Sequence, residues 1–153
     1  MLEVKFALQS QILPSESWKL VNIFEWYERR FKVYIKVHHD GEEEIFFPAM
    51  KKKTQFPESL TEEHKTLLKL LEDISVLGKS FTKHDEDSTR NTLVRLRTKW
   101  TELESMMMDH LNEEEEFYKT KVKESFTEGE MNKLIKKIVQ SPRETCFARY
   151  PVS

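Results

Sequence analysis

The 153 residues include a single cysteine, Cys146, and only three glycines. One thiol cannot form a disulfide within the chain, which points to a reducing compartment. So few glycines leave little for a loop-rich or turn-rich fold, and no glycine-rich phosphate loop can be read. Apolar runs are short, and none approaches the roughly 18 residues that a membrane-spanning helix needs. The N-terminus has neither the basic segment nor the apolar stretch of a secretory leader, so a soluble, cytoplasmic protein is expected. Neither charge sign dominates: 25 Lys and Arg against 27 Asp and Glu leave a net charge of −2. With no broad basic face, nucleic acid is not expected as a partner.

What is present reads as long amphipathic helices. From about Ser17 to Phe47, Leu20, Phe24, Tyr27, Phe31, Tyr34, His38, Glu42, Ile45 and Ala49 recur at three- and four-residue steps, one face of a helix. Pro48 is expected to end or kink it. A second helix is expected near Ser59 or Thr61, with Ser59 and Glu62 as a capping box; its stripe is Leu60, His64, Leu67, Leu71, Ile74, Gly78 and Phe81. A third runs from roughly Thr89 to Ser125, with Leu96, Trp100, Leu103, Met107, His110, Glu114, Phe117 and Lys121 on one face. Thr127 and Glu130 form a second capping box before a short helix that turns Met131, Leu134, Ile135 and Ile138 inward. The organisation expected is an N-terminal arm or remnant of a first helix over 1–16, a helical bundle over 17–141 and an irregular tail over 142–153. Trp18, Trp26 and Trp100 read as core or edge residues, and Lys51 to Lys53 as a solvated turn.

Two histidine–glutamate pairs stand out, His38 with Glu42 and His110 with Glu114. Residues four apart share a helix face, so each pair aims an imidazole and a carboxylate at one place. At 100° per residue His38 and Glu42 point inward, His39 falls at the boundary and Glu43 turns outward. His110 and Glu114 point inward likewise, and His64 continues the second stripe. A buried, unpaired carboxylate costs at least several kcal/mol. A cation explains why the chain places two of them on apolar faces, each one turn after a histidine. Imidazole and carboxylate together suit first-row transition metals, so His38, Glu42, His64, His110 and Glu114 are the expected ligands. His84, in a turn among acids, is expected at the surface.

The segment His38-His39-Asp40-Gly41-Glu42-Glu43-Glu44-Ile45-Phe46-Phe47-Pro48 resembles the H-x-x-x-E-E-x-x-(I/L)-F-P segment of hemerythrin-like domains, also called HHE cation-binding domains. Glu63-His64 resembles the E-H that opens that family's next helix. His110 with Glu114, Glu115 and an aromatic pair resembles its second H-x-x-x-E-E segment. The resemblance covers about Ser17 to Gln140. It implies an all-α, up-and-down four-helix bundle, its first helix short or truncated, around a non-haem di-iron site. It carries ligand roles onto the same five residues, with both glutamates as bridges, and its Phe-Pro register favours His38 over His39. Two departures are visible: no histidine precedes His38, and the positions one turn either side of His64 are Leu60 and Leu68. They imply a truncated or divergent member whose site is open, weakened or empty.

The function expected is metal binding, with iron as cofactor and oxygen, nitric oxide or iron itself as the cargo; manganese and zinc accept the same donors. Two other readings compete. A di-iron oxidase of the ferritin-like class uses Glu-x-x-His pairs, and none of the five histidines has Glu three positions earlier. A metal-free helical interaction module would instead cover the face of the missing helix with the short C-terminal helix, a protein partner or a second copy of the chain. Binding is therefore favoured over catalysis.

Overall fold

The computed structural model describes residues 17–80 and 86–140. The expected N-terminal arm, His84, Cys146 and the C-terminal tail lie outside them. Among the described residues the regular structure is entirely helical, which makes the fold class all-α.

Four helical rods follow one another. The first comprises α1 (Ser17–Trp26), a π-helical turn (Tyr27–Phe31), α2 (Lys32–Gly41), a second π turn (Glu42–Phe46) and α3 (Phe47–Lys51). Then come α4 (Glu58–Lys79), α5 (Glu86–Phe117) with a third π turn (Tyr118–Val122) and α6 (Lys123–Ser125), and α7 (Glu128–Val139). Pro48 falls within the first turn of α3 and does not end the rod. A proline ring crowds the carbonyl four residues earlier, here Glu44, and that residue lies in the wider π turn. The Ser59 capping box does not form: α4 starts at Glu58, and the Ser59 hydroxyl donates to Glu113 instead. The Thr127–Glu130 box does form, each residue's side chain accepting from the other's backbone N–H.

The chain divides into two compact units. Among the described residues the first holds 17–33, 65–80 and 86–109, and its core is aliphatic and aromatic: Leu20, Leu67, Leu71, Ile74, Leu96, Trp100 and Leu103 are buried. Tyr27 is buried with them because its hydroxyl donates to the Leu71 carbonyl at 2.7 Å, leaving no orphaned polar group. Gly78 permits a close helix approach, since a Cβ there would lie 1.8 Å from the Phe24 ring. Trp18 and Trp26 are exposed, whereas Trp100 is in the core.

The second unit holds, among the described residues, 34–64 and 110–140. Phe46, Phe47, Met50, Phe56, Leu60 and Phe117 form its apolar cluster, with Met131, Leu134 and Ile138 of α7 packed against it. Burying each large side chain stabilises by about 1.5–3 kcal/mol. Ile135, expected inward, is half exposed. Lys53 fastens α7 by donating to Glu130 at 2.7 Å and to the Ser125 carbonyl at 3.0 Å. Lys51 donates to Glu58, so two of the three lysines read as a solvated turn are engaged within the unit.

Candidate metal centre

All five expected ligands belong to the second unit, and each contributes to a cluster there. Offering one ligand atom apiece, His39, His64 and His110 lie within 4.8 Å of one another, and so do His38, Glu42 and Glu114. His39, His64, His110, Glu42 and Glu114 are all buried. His38 keeps 44% of its side chain accessible.

The exchange between His38 and His39 corrects the expected orientation. A π turn closes its hydrogen bonds over five residues instead of four and so spends an extra residue. After the turn at Tyr27–Phe31 the inward position moves from 34 and 38 to 35 and 39: Tyr34 is exposed and His39 is 2% exposed. The three-residue step from His39 brings Glu42 inward as expected. The turn at Glu42–Phe46 then shifts the register again, burying Phe46 and Met50 where Ile45 and Ala49 were expected. A constant 100° per residue cannot follow two such slips.

The histidine cluster is tightly packed. The His39 and His64 rings stack at 3.9 Å between centroids, and Phe47 stacks on His64 at 5.1 Å. Glu43 and Glu63, neighbours of expected ligands, orient two of the rings: His64 Nδ1 lies 3.0 Å from Glu43 Oε1, and His110 Nδ1 lies 2.8 Å from Glu63 Oε2. Ionised carboxylates only accept, so both Nδ1 atoms carry the proton and both Nε2 atoms present lone pairs. Those two Nε2 atoms face each other at 3.1 Å. Two lone pairs at that distance repel unless a proton or a metal cation lies between them. Carboxylate–histidine pairs of this kind are the usual outer support of metal-binding imidazoles.

The carboxylates connect the two clusters. Glu42 Oε2 is 3.5 Å from His38 Nε2 and 3.6 Å from His64 Nε2; Glu114 Oε2 is 3.6 Å from His110 Nε2. Their other oxygens approach the Tyr118 hydroxyl, Glu114 Oε1 at 2.9 Å and Glu42 Oε1 at 3.1 Å. Glu42 Oε2 and His39 Nδ1 are buried without a hydrogen-bond partner.

Burial keeps these side chains uncharged in the absence of a cation. Burial first, then the charge of Glu114, raises the Glu42 carboxyl to about 9. Burial and the neighbouring imidazoles depress His39 to about 2 and His64 to about 3. Burial and the two carboxylates push the Tyr118 phenol well above its usual range. Neutral imidazoles at His39 and His64, and a Glu42 carboxyl that ionises readily only beside a counter-charge, are compatible with a metal cation. The orphaned Glu42 oxygen, the opposed Nε2 atoms and the mixed nitrogen and oxygen donors all fit such an ion.

His39, Glu43, Glu63 and Tyr118 are the members that helical periodicity missed. Tyr118 had a signal, since it follows Glu114 by four residues on the same face. Glu43 and Glu63 had only adjacency to a ligand.

No curated protein and no solved structure matches the chain. A family model described as the hemerythrin HHE cation binding domain matches residues 6–122. The match starts inside the segment expected to be an arm and stops before α7, so it lies further toward the N-terminus than the resemblance over Ser17 to Gln140. It takes in all three histidine-bearing rods and both glutamates, over well more than half of the sequence. The chain belongs to the hemerythrin HHE cation-binding domain family.

Proposed function

We propose that this protein binds non-haem iron as a pair of ions, to bind or sense oxygen or nitric oxide or to handle iron itself. The observation that carries the reading is the pair of clusters joined by two buried carboxylates. His39, His64 and His110 would hold one ion, and His38, Glu42 and Glu114 the other. Each glutamate, with one oxygen toward a histidine and one toward Tyr118, is disposed to bridge. His38 and His39 both take part in this assignment, where the sequence pattern and the family register favoured His38 alone.

Iron held there would supply an open centre for a diatomic gas. The chain's own residues do the rest. Glu43 and Glu63 keep Nδ1 of His64 and His110 protonated, so that both Nε2 atoms stay available. Phe47, stacked on His64, helps limit the access of water to the buried donors.

Metal analysis of chain purified after growth in iron-rich medium tests the proposal. About two irons per chain are expected, with manganese and zinc measured alongside. His110→Ala and Glu114→Ala are expected to lower the iron content sharply, and His84→Ala to leave it unchanged. Equal iron in all three variants would refute the assignment. No metal in the wild type would favour a metal-free helical module.

A further inference from the structure

The Tyr118 phenol lies against both buried carboxylates of this site. Each buried glutamate turns Oε2 toward imidazole nitrogen and Oε1 toward the same phenol. Glu42 Oε1, Glu114 Oε1 and Tyr118 Oη therefore converge, at 3.1 and 2.9 Å from the phenol oxygen. A phenol has one proton and donates fully to one carboxylate at a time. A cation among the three would draw on all three oxygens at once. Metal–oxygen bonds of about 2.1 Å at right angles separate neighbouring donors by about 3 Å.

The phenol is also held in place. Tyr118 stands one turn beyond Glu114 and opens the π turn Tyr118–Val122, as Glu42 opens the one before α3. Its ring meets Phe46 edge-on at 5.0 Å between centroids. Two carboxylates and a phenol are hard oxygen donors, a set that suits a ferric ion, whereas the three imidazoles make a softer position.

We infer that Tyr118 is a metal ligand, its phenolate oxygen joining Glu42 Oε1 and Glu114 Oε1 in an oxygen-rich cation position beside the histidine-rich one. The inference rests on the proposed function, because it requires bound iron. On ligation the phenol O–H bond breaks, the oxygen's electron pair forms the bond to ferric ion, and the proton leaves to solvent. No electron is transferred in the step.

The test uses the whole chain loaded with iron and oxidised to the ferric state, followed by iron analysis, visible absorption and resonance Raman spectroscopy. The wild type is expected to show a visible phenolate-to-iron charge-transfer band with enhanced tyrosine ring modes. Tyr118→Phe is expected to retain iron and lose the band; Tyr34→Phe is expected to keep both. Ferric iron bound without the band, or a band that survives in Tyr118→Phe, overturns the inference and leaves iron binding intact. A wild type without iron overturns both. Should Tyr118→Phe not fold, ring-fluorinated tyrosine in a Tyr34→Phe, Tyr150→Phe background decides: a displaced band sustains the inference, and an unmoved or absent one overturns it.

Discussion

Replacing Glu42 by Gln removes one of two buried carboxylates and keeps the side chain's shape. In the metal-free protein the Glu42 carboxyl is raised to about 9, against an ordinary value of 4.5. Between those values the unfolded chain is ionised while the folded chain keeps the proton. The folded state therefore loses about 1.4 kcal/mol per pH unit as pH rises through this window. By pH 7 the loss is on the order of 3 kcal/mol. A Gln cannot ionise, so that slope disappears. Its amide oxygen can still accept from Tyr118, and its N–H groups face the lone pair of His64 Nε2, so no buried polar group need lose its partner. The Glu42→Gln variant, freed of metal by a chelator, is expected to be more stable than the wild type at about pH 8, by about 1–3 kcal/mol. For a chain of this size that is roughly 2–4 °C in Tm per kcal/mol. Metal should reverse the order. A cation at a hundred times its Kd stabilises the folded wild type by about 2.7 kcal/mol, and the variant, lacking the carboxylate proposed as a ligand, should gain much less. Thermal unfolding followed by circular dichroism from acid to alkaline pH, with chelator and with anaerobic ferrous iron, gives both readings. A variant no more stable than the wild type at alkaline pH in chelator, or one that gains equally from iron, would refute the reasoning.

Glu43→Gln and Glu63→Gln should each weaken metal binding by about 10–100-fold without abolishing it, because an amide no longer fixes the Nδ1–H tautomer; competition titration with a metal chelator measures this. On the acid side, His39 and His64 refuse protons that the unfolded chain accepts below about 6.5. Metal-free protein should therefore lose stability as pH falls from there toward about 3, and His39→Gln should make that loss shallower in a pH titration of denaturant midpoints. Gly78→Ala forces a methyl against the Phe24 ring and should cost about 1–3 kcal/mol as overpacking, read as a lower Tm with unchanged iron content. Thr127→Ala should cost about 1 kcal/mol through loss of the α7 cap, seen as faster amide exchange in Glu128 to Met131.

The order of the rods, the buried His64, His110, Glu42 and Glu114, and the capping box at Thr127 were all legible in the residue pattern. Each depends on local periodicity or on a cap three residues long, and here no distant residue competes for the groups involved. The same pattern mistook His39 for a boundary residue and Tyr34 for an inward one. It assumed a uniform helical turn, and π turns leave no clear mark in the residues that form them. Ser59 read as a cap because Glu62 followed it; Glu113, 54 residues further on, takes its hydroxyl instead.

Sequence by itself determined that this chain is helical and that it carries imidazole and carboxylate donors on apolar faces, because side-chain period and residue chemistry are properties of the chain alone. Only tertiary structure decided which histidine enters the cluster and that Glu43 and Glu63 set the imidazole tautomers. It alone brought the Tyr118 phenol against both carboxylates. The physical reason is that these are distances between rods: they depend on the phase each rod has accumulated when it meets its neighbour, and a single wider turn changes that phase by a whole residue.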